Sequence, residues 1–94
     1  MYSKPTISNL TLTLAATEYS YAVPANTKKI YVKARGSNDL RFAFVSGDTA
    51  TLFMTVPAGG GFSVDAIYLR GQTIYIQCPG AAGEIAEILT FQDQ

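Results

Sequence analysis

The sequence predicts an all-β domain, a two-sheet β-sandwich of the jelly-roll type with about eight short antiparallel strands. Three observations predict it. Short runs rich in β-branched and aromatic residues recur at even spacing and are broken by Gly, Pro, Asn and Asp. Several of these runs alternate apolar and polar residues, the pattern of a strand with one buried face. Finally, one pattern occurs twice: strand, Val-Pro-Ala turn, strand, Arg-Gly turn, strand. Tyr21-Ala22-Val23-Pro24-Ala25 is matched by Met54-Thr55-Val56-Pro57-Ala58, and Ala34-Arg35-Gly36 by Leu69-Arg70-Gly71. Two similar antiparallel halves suit a jelly roll or another two-sheet sandwich.

The strands are expected at residues 7–15, 18–23, 28–35, 40–45, 51–56, 62–69, 73–78 and 85–91. In the first, Leu10, Leu12 and Leu14 share a face opposite Asn9, Thr11 and Thr13. In the third, Ile30, Val32 and Ala34 alternate with Lys29, Tyr31, Lys33 and Arg35. In the fourth, Leu40, Phe42 and Phe44 alternate with Arg41 and Ala43. Pro24 and Pro57 end strands because they cannot donate to a ladder. Ser37-Asn38-Asp39 and Ser46-Gly47-Asp48 carry tight-turn chemistry. Residues 84–91 fit two descriptions. Ile85, Ile88 and Leu89 have helical spacing, whereas the Ile-Leu-Thr-Phe ending and the all-β surroundings favour a strand.

The 94 residues make one domain, with residues 1–5 as an N-terminal arm and residues 6–94 as the sandwich. Pro5 separates the two. A chain of this length buries roughly 60–65% of its unfolded surface, so a monomer is marginal. Cys78 is the single cysteine, which excludes an internal disulfide. With no histidine and one cysteine, no zinc site is expected. Oligomerisation is the remaining source of stability. Seven Lys and Arg balance seven Asp and Glu, so the basic excess of a nucleic-acid binder is missing. Charged residues are 15% and hydrophobic residues 48%, which suits a surface partly covered by a partner. No apolar run approaches the ~20 residues of a membrane span. The first ten residues, MYSKPTISNL, do not read as a secretory signal.

No residue set predicts catalysis, a metal or a cofactor. The stretch TVPAGGGFSV, residues 55–64, superficially suggests a phosphate loop. A Walker loop needs Lys-Ser or Lys-Thr after its last glycine, and here Phe62 and Ser63 follow Gly61. The glycines therefore read as a turn. Without histidine, neither a Ser-His-Asp triad nor an activated Cys78 is possible. Cys78 reads as a small core residue. Glu84 and Glu87, three apart on a strand, face opposite sides and form no glycosidase-type pair. Six tyrosines, at positions 2, 19, 21, 31, 68 and 75, are the side chains suited to interfaces. Tyr31 is expected to point outward beside Lys33 and Arg35. Candidate contact residues are Tyr2 and Lys4 on the arm, Tyr31, and the arginines Arg35, Arg41 and Arg70.

Residues 17–35, TEYSYAVPANTKKIYVKAR, resemble a stretch found in small virion proteins of tailed bacteriophages. The resemblance continues through Leu40–Ala43 and Phe44, the Pro57-to-Phe62 turn and the Glu87-Ile88-Leu89 strand. It implies a capsid decoration (cement) protein that binds the major capsid protein of a phage shell and stabilises it. It also implies a homotrimer on the virion, assembled in the host cytoplasm, with no catalytic residues, no nucleic acid and no membrane. The rival from another class is a glycan- or receptor-binding module of a head fibre or tail, which needs an exposed aromatic platform with polar groups beside it.

Overall fold

The computed structural model describes residues 5–65 and 72–92. Period-two alternation builds eight strands among them: β1 (Thr6–Leu12), β2 (Tyr19–Ala22), β3 (Thr27–Ala34), β4 (Leu40–Ala43), β5 (Met54–Val56), β6 (Gly61–Asp65), β7 (Thr73–Gln77) and β8 (Glu84–Gln92). They form two four-stranded antiparallel sheets. Sheet I has the order β1-β8-β3-β6 and sheet II the order β2-β7-β4-β5. Successive strands alternate between the sheets, except at β4–β5 and across β8–β1, and this interleaving is the jelly-roll topology. The chain is therefore all-β, and residues 84–92 are a strand, with Ala86, Ile88 and Thr90 buried on its inner face.

The core lies between the sheets. Sheet I contributes Leu12, Ile30, Val32, Ala34, Ala86 and Ile88, and sheet II contributes Leu40, Phe42, Val56, Ile74 and Ile76. Each fully buried Leu, Ile or Phe contributes roughly 1.5–3 kcal/mol, so these rows hold the fold. Cys78 is wholly buried with them, as a small core residue.

Several strands are shorter than their apolar patterns. The Leu10–Leu12 alternation does not extend to Leu14, because β1 stops at Leu12 and the chain turns through Ala16 at φ 52°. Leu14 is exposed. Phe44 lies past the end of β4, partly exposed, with its ring edge-on to Phe42 at 5.0 Å. Ala43, expected outward, is buried. Residues 48–50 form a single 3-10 turn, so β5 begins only at Met54.

Both Val-Pro-Ala turns carry the chain from an edge strand of sheet II into sheet I, one from β2 to β3 and the other from β5 to β6. At the end where β1 leads to β2 and β4 leads to β5, Glu18 ties two loops together. Its carboxylate accepts bonds from the Thr49 hydroxyl (2.6 Å), the Gly47 amide (3.0 and 3.1 Å) and the Ser46 hydroxyl (3.4 Å). The Thr49 hydroxyl also accepts from the buried Gln77 amide at 2.8 Å.

Candidate functional site

The outer face of sheet I holds an open groove of about 340 Å³ lined by Ile7, Asn9, Tyr31, Lys33, Arg35, Glu87 and Leu89. Strand register explains why these residues meet. Ile7 of β1 pairs with Leu89 of β8, which pairs with Tyr31 of β3. One step along, Asn9, Glu87 and Lys33 form the next row. All point away from the core because Leu12, Ile30, Val32 and Ile88, on the opposite parity, point into it. Arg35 lies just beyond β3 and bonds through Nε to Glu87 Oε2 at 2.7 Å.

Tyr31, which lines the groove, leans toward β6. A Cβ placed on Gly61 would meet Tyr31 Oη at 2.8 Å and Cζ at 2.9 Å, so the phenol end of Tyr31 lies over Gly61. Gly61 belongs to β6, on the side of β3 away from β8. The tyrosine therefore rests its phenol end on the glycine strand while lining the groove beside Leu89. The glycine run is thus a turn and a resting place for an aromatic ring. Gly59 takes φ +70° in the turn, Gly60 N–H donates to Pro57 O at 2.9 Å, and Gly61 is a strand residue. An extended strand follows the glycines, and no helix N-terminus is present there to receive a phosphate.

Chemically, the groove has an apolar centre, Ile7 and Leu89, with Ile7 74% exposed. Its rim is polar. Lys33, the Asn9 side chain and the Tyr31 hydroxyl make no hydrogen bond or ion pair with the described residues. The Arg35–Glu87 pair sits at the surface, at 46% and 32% side-chain exposure, where such a pair contributes little stability. Apolar groups at the centre with polar groups around them are also the arrangement common at protein interfaces. Glu87 is paired with Arg35, and Glu84, on the opposite parity, sits beside Asn38 (Nδ2 to Oε2, 3.4 Å) and Gly36.

Of the residues expected at contacts, Tyr31 and Arg35 come together in this groove. Arg41 does not join them. It lies on β4 in sheet II, with its guanidinium 4.3 Å from the Phe53 ring centre. Tyr2, Lys4 and Arg70 lie outside the described residues, as does the Leu69-Arg70-Gly71 half of the repeat. Ile7, Asn9, Lys33, Glu87 and Leu89 were not singled out in the sequence. Only the odd-numbered alternation of residues 7–11 places Ile7 on the face opposite Leu10 and Leu12. Tyr19 and Tyr21 are partly buried against the core and turn their hydroxyls to Leu14 N (2.9 Å) and Ser8 Oγ (3.1 Å).

The class these features define is a two-sheet jelly-roll sandwich with an open groove on the outer face of sheet I. No protein-family model matches the chain, and no curated protein sequence matches it. One similar solved structure comes from Bacillus endospore appendages, described as a novel family of disulfide-linked pili. It aligns with TM-score 0.51 and 21% identity, covering 100% of this chain and 92% of that chain. At that identity the likeness is one of fold.

Proposed function

We propose that this protein is a non-catalytic structural subunit of a larger protein assembly, a decoration protein that docks on the shell of a tailed phage through the outer face of sheet I. The observation that carries the reading is the groove itself. An exposed isoleucine and a leucine form its centre, Tyr31 flanks them, and Lys33 and Asn9, whose side chains bond to none of the described residues, stand at its rim. The resemblance of residues 17–35 and the strands after them supplies the phage shell as the partner. The pilus likeness supports the broader class, since that sandwich also serves an assembly. The joining chemistry differs, however. A disulfide-linked series needs two thiols per subunit, and these 94 residues hold one, wholly buried.

The test is cosedimentation with phage capsids that lack this protein. Wild type is expected to bind, and Lys33→Glu and Leu89→Asp to lose binding while keeping their melting temperature. Failure of the wild type to bind defeats the reading.

A second reading has one specific observation in its favour. Tyr31 lies across Gly61 with Asn9, Lys33 and Glu87 around the same groove, an aromatic surface with polar groups beside it. This is the arrangement a glycan-binding module needs. Screening an array of glycans with wild type and Tyr31→Ala decides it: glycan binding abolished by the substitution replaces the shell by a sugar as the groove's ligand.

A further inference from the structure

The four edge strands of the two sheets are not alike. β2 has four residues, β5 three, and β6 five among the described residues. Short or charged edges of this kind resist pairing with a second chain. β1 is different. It is seven residues long, TISNLTL, and carries no charge, no proline and no glycine. Its register with β8 runs unbroken from Thr6↔Thr90 to Leu12↔Glu84, without a bulge. Among the described residues it pairs on one side alone. Every second residue of such a strand turns its N–H and C=O outward, and here nothing in the strand blunts that edge. The side chains are also suited to pairing, since Thr and Ile favour strands.

We propose that β1 is a self-pairing edge, where two copies of this chain join antiparallel across a two-fold axis to make one continuous eight-stranded sheet. The register follows from the limits of the strand. Pro5 has no N–H and stops the ladder at one end, and β1 ends at Leu12. Full overlap of Thr6–Leu12 with its copy places Asn9 opposite Asn9, Ile7 opposite Thr11, Ser8 opposite Leu10 and Thr6 opposite Leu12. Ile7, 74% exposed in the single copy, gains a β-branched neighbour on the same face. The contact is isologous and closes after two copies. It gives an even-numbered assembly in place of the three-fold ring the phage resemblance implies. The edge shares Ile7 and Asn9 with the groove, but its test reads self-association and not what the groove binds.

Sedimentation equilibrium of the whole chain, with amide hydrogen exchange at low and high concentration, tests it. A dimer is expected, in which alternate amides of β1 gain protection as concentration rises while those bonded to β8 stay protected throughout. Asn9→Lys places like charges opposite each other and is expected to weaken the dimer about fivefold or more. Asn9→Glu does the same. Mixing the two variants restores association, because Lys and Glu then face each other across the axis. Circular dichroism confirms that both fold. A monomer at every concentration, a three-fold mass, or a dimer indifferent to Asn9→Lys with unprotected β1 edge amides overturns the proposal.

Discussion

The two Val-Pro-Ala turns perform the same task with different parts. Each leaves sheet II after a buried valine, Val23 or Val56, and each takes a positive φ two residues after its proline, 65° at Asn26 and 70° at Gly59. That is the third position of a type II turn, which demands a residue tolerant of left-handed backbone. The closures differ. In the first turn the Thr27 hydroxyl donates to Pro24 O at 2.7 Å. Thr27 is buried and also accepts from Gln92 Nε2 at 3.3 Å, which in turn donates to Thr90 Oγ1 at 2.6 Å. In the second turn the backbone does the closing: Gly60 N–H donates to Pro57 O, Gly59 N–H to Ala34 O (3.0 Å), and Ala34 N–H to Gly60 O (2.9 Å). A turn held by side chains depends on the identity of its residues. A turn held by backbone depends on their smallness, and this one uses its smallness to bring β6 under Tyr31.

Four substitutions separate the two designs, and urea unfolding midpoints measure all of them. Gly61→Ala is expected to cost most, up to about 3 kcal/mol, as overpacking does at a site that cannot move away. Its Cβ would lie 2.5 Å from Val32 O, which is backbone, as well as against Tyr31. The same change should lift Tyr31 and, with it, weaken the capsid binding proposed for the groove. Thr27→Val comes next at about 1.5 kcal/mol, for it keeps the shape but leaves the Pro24 carbonyl without the hydroxyl that now caps it. Gly59→Ala follows at about 1 kcal/mol, from forcing a Cβ into the left-handed region. Among the described residues no atom lies within 4 Å of where that Cβ would stand. Gly60→Ala is the smallest, within about 0.5 kcal/mol, because removing a glycine's unfolded-state freedom offsets the little it disturbs. Gly60 lacks a positive φ, and its Cβ would rest at an ordinary 3.5 Å from Pro57 O. If Gly60→Ala proves more harmful than Gly61→Ala, the division of labour among the three glycines is wrong.

Much of the sandwich was legible because alternation is a local signal. Ile30-Tyr31-Val32-Lys33-Ala34 reads as a half-buried strand from any starting point, and Pro24 and Pro57 mark their turns unaided. Alternation misleads where a strand stops. Leu14 continues the period of Leu10 and Leu12, yet β1 has already ended at Leu12, and Leu14 is exposed where the chain enters the turn that runs to Ala16. The groove was less legible, because it exists only through sheet order. Residues 7, 31, 87 and 89 become neighbours when β8 enters between β1 and β3, and no local pattern announces that. Arg35 and Arg41 look equivalent in sequence, but the crossover between β3 and β4 sends one to each sheet. The role of Gly61 was hidden for the same reason: its partner is a tyrosine on the neighbouring strand.

The Glu18 clamp makes the molecule sensitive to protons at one end. The Thr49 hydroxyl, foremost, and the Gly47 amide favour the charged carboxylate and outweigh its partial desolvation, which holds its pKa below the ordinary value. A carboxyl depressed in the folded state binds its proton more readily when unfolded. The linked stability is therefore complete above the unfolded carboxyl pKa, about 4.3, and drains away as pH falls through the lower folded value. Protonation removes an acceptor from three donors at once, and the Ser46-to-Thr49 loop loses its tie to Glu18. Lowering the pH through that folded value should accordingly raise amide exchange at Gly47, relative to its intrinsic rate, before it disturbs β1, β8 or β3. The sandwich would then loosen from one loop inward while the groove across sheet I stays intact.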